Sequence, residues 1–107
     1  QTTATGIILV GASWCNVCKQ AAPMLAAFSQ AHGVPVLVAS ADGRLIPPFA
    51  SMVPASGHPI AQQVQAYPTT LVFSNKANEL VSSIVGFRNP TWYLSQVRSG
   101  VILSEEL

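Results

Sequence analysis

Cys15 and Cys18 are the only cysteines of the chain and stand two residues apart in Ser13-Trp14-Cys15-Asn16-Val17-Cys18-Lys19. The apolar run Ile7-Ile8-Leu9-Val10 precedes them and a long helical pattern follows, so the pair is expected at a strand-to-helix junction. Backbone N–H groups at a helix N-terminus, together with the macrodipole, stabilise a thiolate, and the thiolate is the form of cysteine that attacks disulfides. The same spacing also suits half a zinc site or a permanent disulfide. Of the two histidines, His32 falls at the far end of the helix that begins with the cysteines. About 14 residues of helix, or roughly 20 Å, is too far for one metal to be shared. His58 precedes a proline at an expected helix start and reads as a polar surface residue. A disulfide closing so short a loop would constrain little of the unfolded chain, so a purely structural bond is the weaker reading.

The elements that must hold this pair follow from the hydrophobic pattern. Residues 6–12 are a continuous aliphatic run without polar alternation, the pattern of a central strand covered on both faces. Residues 16–32 carry helical spacing, with Gly33 as the stop and Pro23 expected to kink the interior. Residues 34–41 read as a second strand whose Pro35 sits at its start, where a missing donor is tolerated. Strand, helix and strand together predict a right-handed crossover between parallel strands. Residues 69–74 and 80–86 flank Asn75-Lys76-Ala77-Asn78 and predict an antiparallel hairpin. A last helix begins with Asn89 as N-cap and Pro90 as first helical residue, and Gly100 is expected to close it. Between them lie a proline-containing loop over 42–57 and a short helix over 59–66.

The 107 residues, half of them apolar, are expected to form one domain, residues 1–107, with a core that needs no metal or disulfide. Charged residues are 8% of the chain, against roughly a quarter in ordinary soluble domains, and the net charge is +1, which argues against nucleic acid or acidic membrane as a partner. No apolar stretch is long enough to span a bilayer. The start at Gln1 without Met, about six residues before the first strand, predicts a mature or trimmed form that has lost an export signal or anchor.

Four features in order give the chain its resemblance, which covers nearly its whole length, to thioredoxin-fold thiol:disulfide oxidoreductases. They are Trp-Cys-x-x-Cys-Lys at Trp14 to Lys19, the proline five residues past the second cysteine at Pro23, Tyr67-Pro68-Thr69-Thr70 opening a strand, and Gly86 ending the last strand. The resemblance implies an α/β minimal thioredoxin fold: a four-stranded mixed sheet flanked by helices, without the first strand and helix of full thioredoxin. It implies that Cys15 is the exposed attacking cysteine with a lowered pKa and Cys18 the buried resolving one, acting through a mixed disulfide. It also implies that Pro68 is cis, that its loop faces the cysteines, and that the backbone of Tyr67 pairs with an extended substrate segment. Trp14 is expected beside the cysteines, shaping the docking surface. No cofactor and no metal is implied, and the expected partners are cysteine-containing proteins and a redox partner protein, met by a monomer.

The chain also departs from that family. Cytoplasmic thioredoxins bury an aspartate six residues before the first cysteine, where it takes part in proton transfer to the resolving thiol; here the position is Leu9. The Asn16-Val17 dipeptide matches none of the familiar reductase, oxidase or isomerase pairs and leaves the potential open. With the first strand absent, residues 34–41 are expected at a sheet edge, and the 42–57 loop is expected to add Phe49 and Met52 to the substrate surface. Val38 to Arg44, the following proline-rich loop and Leu103 to Leu107 are similar to thioredoxin-like proteins of conjugative pilus assembly, which work in the bacterial periplasm. Periplasmic thioredoxin-like proteins of cytochrome maturation or sulfur oxidation remain open as well. The expected function is reduction or isomerisation of disulfides in exported proteins; the competing one is a noncatalytic adaptor that holds a partner during assembly.

Overall fold

The computed structural model describes residues 4–107. Strand β1, Thr5–Gly11, lies at the centre of a five-stranded sheet because its aliphatic side chains can be buried on both faces. Alternation divides them: Ile7 and Leu9 enter one core, Ile8 and Val10 the other. Helix α1, Asn16–His32, buries Cys18, Ala21, Ala22, Leu25 and Phe28 on one stripe. It ends at Gly33, whose φ of 65° is a left-handed conformation that glycine adopts without a Cβ penalty and whose N–H bonds to Ser29 O.

Strand β2, Val36–Ser40, runs parallel to β1, with Gly11 opposite Ser40. Strands β4, Thr69–Ser74, and β5, Glu79–Val85, form the antiparallel hairpin on the other side of β1. Helix α3, Pro90–Glu106, starts from Asn89, whose side chain accepts the Trp92 N–H at 2.8 Å. A cap of this kind stabilises a helix by about 1 kcal/mol. α1 and α3 cover the Leu9 face, and the short helix α2, Pro59–Gln62, lies on the Ile8 face, where Ala61 is buried.

Several expectations are corrected. The sheet has five strands, not four, because Val53–Pro54 forms a two-residue strand β3 parallel to β2, pairing Val53 with Ala39 and Pro54 with Ser40. β2 is therefore not the edge. Two residues carry no periodicity, and a proline is tolerated here because the outermost strand needs no outward donor. Helix α2 stops at Gln62 rather than reaching residue 66, closed by Gln63 N–H to Ile60 O and Val64 N–H to Ala61 O.

Gly100 does not end α3; the helix continues to Glu106. The residue is there for proximity, since a Cβ on it would lie 3.1 Å from both Val72 Cγ2 and Ser82 Cβ. Val72 is completely buried in the middle of the sheet and has no room to retreat. Gly100→Ala is therefore expected to lower stability by up to about 2 kcal/mol, overpacking of about 1–3 kcal/mol outweighing the ~1 kcal/mol gain in helix propensity. Urea denaturation of the two proteins measures the difference.

Candidate redox site

β1 delivers the chain to the top of the sheet at Gly11, and a turn closed by Cys15 N–H to Ala12 O, 3.2 Å, leads into α1. Cys15 is the N-cap of that helix, in extended conformation, and its Sγ accepts the Cys18 N–H at 3.2 Å. Its carbonyl accepts the Lys19 N–H at 3.1 Å. One N–H of the first turn, that of Cys18, thus points at the sulfur, which takes the place of the side-chain oxygen of an ordinary N-cap. Both cysteines are free thiols. Cys15 is the more accessible, but only 8% of it is exposed, less than the sequence implied; Cys18 is fully buried.

Cys18 sits under Gly11, where a Cβ would come within 2.9 Å of its sulfur and 3.4 Å of Ile46 Cδ1. Only glycine leaves room for this thiol against the end of β1. Burial first, then the hydrogen bond with Cys15, pushes Cys18 well above an ordinary thiol, while the Ala12 backbone pulls weakly the other way. Cys18 is accordingly a neutral thiol near pH 7, a store for one proton.

Opposite the pair, the Tyr67–Pro68 peptide bond is cis. Tyr67 packs against Ala12, Cys15 and Cys18, and Pro68 O accepts the Gly86 N–H at 2.8 Å, tying this loop to the end of β5. Trp14 stands 64% exposed with its ring edge-on to Tyr67, centroids 6.2 Å apart. The structure therefore gathers Trp14, Cys15, Cys18, Tyr67 and Pro68 at one end of the sheet. Phe49 and Met52 do not join them; they are half-buried against the core beneath α1 and α3, because these loop residues lower the apolar area exposed to water by folding inward.

Two groups near the site escaped the sequence reading. Asp42 accepts from the Ser13 N–H at 3.2 Å, from Ser13 Oγ, and from Ser40 Oγ at 2.8 Å, so it fastens the residue before Trp14 to the end of β2. These bonds, that from the Ser13 hydroxyl foremost, hold its carboxyl far below the usual carboxylate range. Asp42 directly follows a strand in a chain with only four acidic residues, a signal that could have drawn notice. The second group is Tyr93, fully buried, with its OH 2.6 Å from Thr70 Oγ1. Burial pushes it up to about 12, a hydrogen bond from Thr70 opposes this, and the Cys18 sulfur adds to the rise. Thr70 lies opposite Leu9 in the sheet, so a neutral hydroxyl pair occupies the neighbourhood of the position where cytoplasmic thioredoxins carry a carboxylate.

Comparison with known proteins agrees with this geometry. Residues 2–91 match the family model described as TraF, F plasmid transfer operon protein. The chain belongs to the TraF family. Among solved structures, this TraF-family chain is similar to a thio-disulfide isomerase from Thermus thermophilus, with TM-score 0.71 and 23% identity over 96% of this chain and 80% of that one. It is also similar to mitochondrial thioredoxin 3 from Saccharomyces cerevisiae, with TM-score 0.64 and 23% identity over 92% and 80% of the two chains. Thioredoxin O2 from Arabidopsis thaliana gives TM-score 0.66 and 18% identity over 90% and 74%. No curated protein matches the chain. At these identities the structures establish a thioredoxin-like fold, and with the family they support a redox-type function in general.

Proposed function

We propose that the chain is a thiol:disulfide oxidoreductase that reduces or isomerises disulfides of exported proteins through Cys15 and Cys18. The observation that carries the reading is Cys15 Sγ at the N-cap of α1, accepting the Cys18 N–H, with a second, buried and neutral thiol one helical turn behind it. Cys15 attacks one sulfur of a client disulfide; that S–S bond breaks, a bond from Cys15 to the client forms, and the other client sulfur leaves as a thiolate. Cys18 then gives its proton to the departing thiolate and attacks the Cys15 sulfur. The client's second sulfur is released, two electrons have passed to the client, and the chain is left with a Cys15–Cys18 disulfide. Run backwards, the same steps oxidise a dithiol. Trp14, Tyr67 and Pro68 form the surface on which the client lies.

The family's description as a plasmid transfer operon protein, with the low charge of the chain, supports a periplasmic setting and clients among proteins assembled for transfer. Insulin reduction with dithiothreitol as electron source tests the reading. The native chain is expected to accelerate insulin precipitation, and the double variant Cys15→Ser/Cys18→Ser to return it to the uncatalysed rate. A native chain without effect on insulin and without a redox equilibrium in glutathione buffers would instead leave the adaptor role standing.

A further inference from the structure

The nine charged side chains of this chain are not spread evenly. At the end of the sheet that carries the cysteines lie Lys19, Arg44 and Arg88, all exposed, with Asp42 as the only anion. Lys19 is in the first turn of α1, bonded through its N–H to Cys15 O. Arg44 follows the end of β2, its N–H bonded to Ser40 Oγ at 3.1 Å. Arg88 follows Gly86, whose N–H holds Pro68 O, and its guanidinium lies 5.0 Å above the Trp92 ring. Asp42 accepts from Ser13, Ser40 and the Arg44 backbone and keeps its negative charge, so this end carries three cations against one anion.

The opposite end has the reverse sign. Glu79 pairs with Ser74, which pairs with Thr5 at the start of β1, and Glu105 and Glu106 follow Ser104, whose hydroxyl meets that of Thr5. Among the described residues Lys76 in the hairpin turn is the only cation there, and Arg98 lies midway along α3. A seven-residue strand separates the ends by about 20 Å. That exceeds the Debye length of roughly 8 Å at physiological salt, so the distant acids do not cancel the field at the site.

We propose that the site selects client segments with acidic residues on both sides of the reacting cysteine; this rests on the oxidoreductase reading above. The strand order places β2, β1, β4 and β5 side by side, with their site ends in register: Gly11 by Ser40, Val10 by Thr69, Thr69 by Val85. Arg44 leaves from β2 and Arg88 from β5, so three strand spacings, about 14 Å, separate the two departures. An extended client lying across the strand ends passes Cys15 and Pro68 and covers that distance in about four residues. Its side chains two positions to either side of the cysteine then fall near Arg44 and Arg88, with Lys19 between. A groove of about 420 Å³ lined by Lys19, Pro23, Pro47 and Pro48 flanks the same path and offers apolar contact on the Arg44 side. Exposed cations act mainly on encounter, so the selection is a rate effect that salt removes.

The test uses short peptides with one central cysteine in mixed disulfide with a small thiol, carrying Asp, Gln or Lys two positions to each side. Reduction rates by the chain are taken relative to those by 2-mercaptoethanol, which removes intrinsic differences between the peptides. At physiological salt the Asp peptide is expected to react roughly 10-fold faster than the Lys peptide, the ratio falling toward one in high salt. Arg44→Gln combined with Arg88→Gln is expected to abolish most of the ratio, while Glu79→Gln at the far end leaves it in place. Equal rates for the three peptides, or a ratio indifferent to salt and to the double variant, overturn the proposal while the oxidoreductase reading survives. Failure to reduce any of the peptides overturns both.

Discussion

Serine in place of Cys15 is expected to stop disulfide exchange outright, whereas serine in place of Cys18 should leave the first step intact and hold the client on Cys15. The asymmetry follows from position. A serine oxygen forms no disulfide, and Cys18 cannot substitute as nucleophile because it is fully buried against Gly11 and keeps its proton at neutral pH. In Cys18→Ser, the mixed disulfide has no internal thiol to resolve it and persists until an external thiol is added. Non-reducing electrophoresis with mass spectrometry of the adduct reads both results. A client captured by Cys15→Ser, or none captured by Cys18→Ser, would reverse the proposed roles.

The second large effect is expected on stability. Tyr93→Ala should cost about 3–5 kcal/mol, the scale of deleting a buried aromatic, and so much of the 5–15 kcal/mol that holds a domain of this size folded. The Tyr93 ring packs edge-on against Phe87, centroids 5.3 Å apart, and its OH partners Thr70 inside the sheet–helix core. Tyr93→Phe keeps the ring and leaves the Thr70 hydroxyl without this partner, so a smaller loss of about 1–3 kcal/mol is expected. The pH dependence has a defined sign. Tyr93 rises from 10.0 unfolded to about 12 folded, so its contribution is complete below pH 10 and is lost as pH climbs toward 12. Chemical denaturation between pH 7 and 11 should show an alkaline decline that is shallower in Tyr93→Phe. A steeper decline, or a shift to the acid side, would mean that the hydroxyl is not buried as described.

These two predictions differ in how far the sequence alone could have reached them. The limits of α1 were legible because Cys15, Gly33 and the apolar spacing between them are local signals that all specify one helix. Trp14, Cys15, Cys18, Tyr67 and Pro68 were legible through motif resemblance, and the structure places them together. What was not legible depends on approaches between distant parts of the chain. Ser13 and Asp42 are 29 residues apart, and Thr70 and Tyr93 are 23 apart, so neither pair leaves a periodic trace. Gly100 was misread for a related reason. Glycine after a helical run is the ordinary mark of termination, and only the sheet surface 3.1 Å away shows that this one exists for packing. Phe49 and Met52 were assigned to the surface because a loop without period gives no indication of which side chains turn inward.

The two-residue strand β3 bears on how this molecule behaves when concentrated. Its sheet would otherwise end on β2, a five-residue run with Leu37 partly open to water, the kind of border on which a neighbouring copy can lay its own backbone. Pro35, just ahead of that run, turns its carbonyl to the Ile7 N–H of β1, and half of the strip that caps the far portion of the run is Pro54, which has no N–H to offer. A polymer growing outward over that portion meets a residue without a donor, so the ladder is interrupted where β3 covers the run.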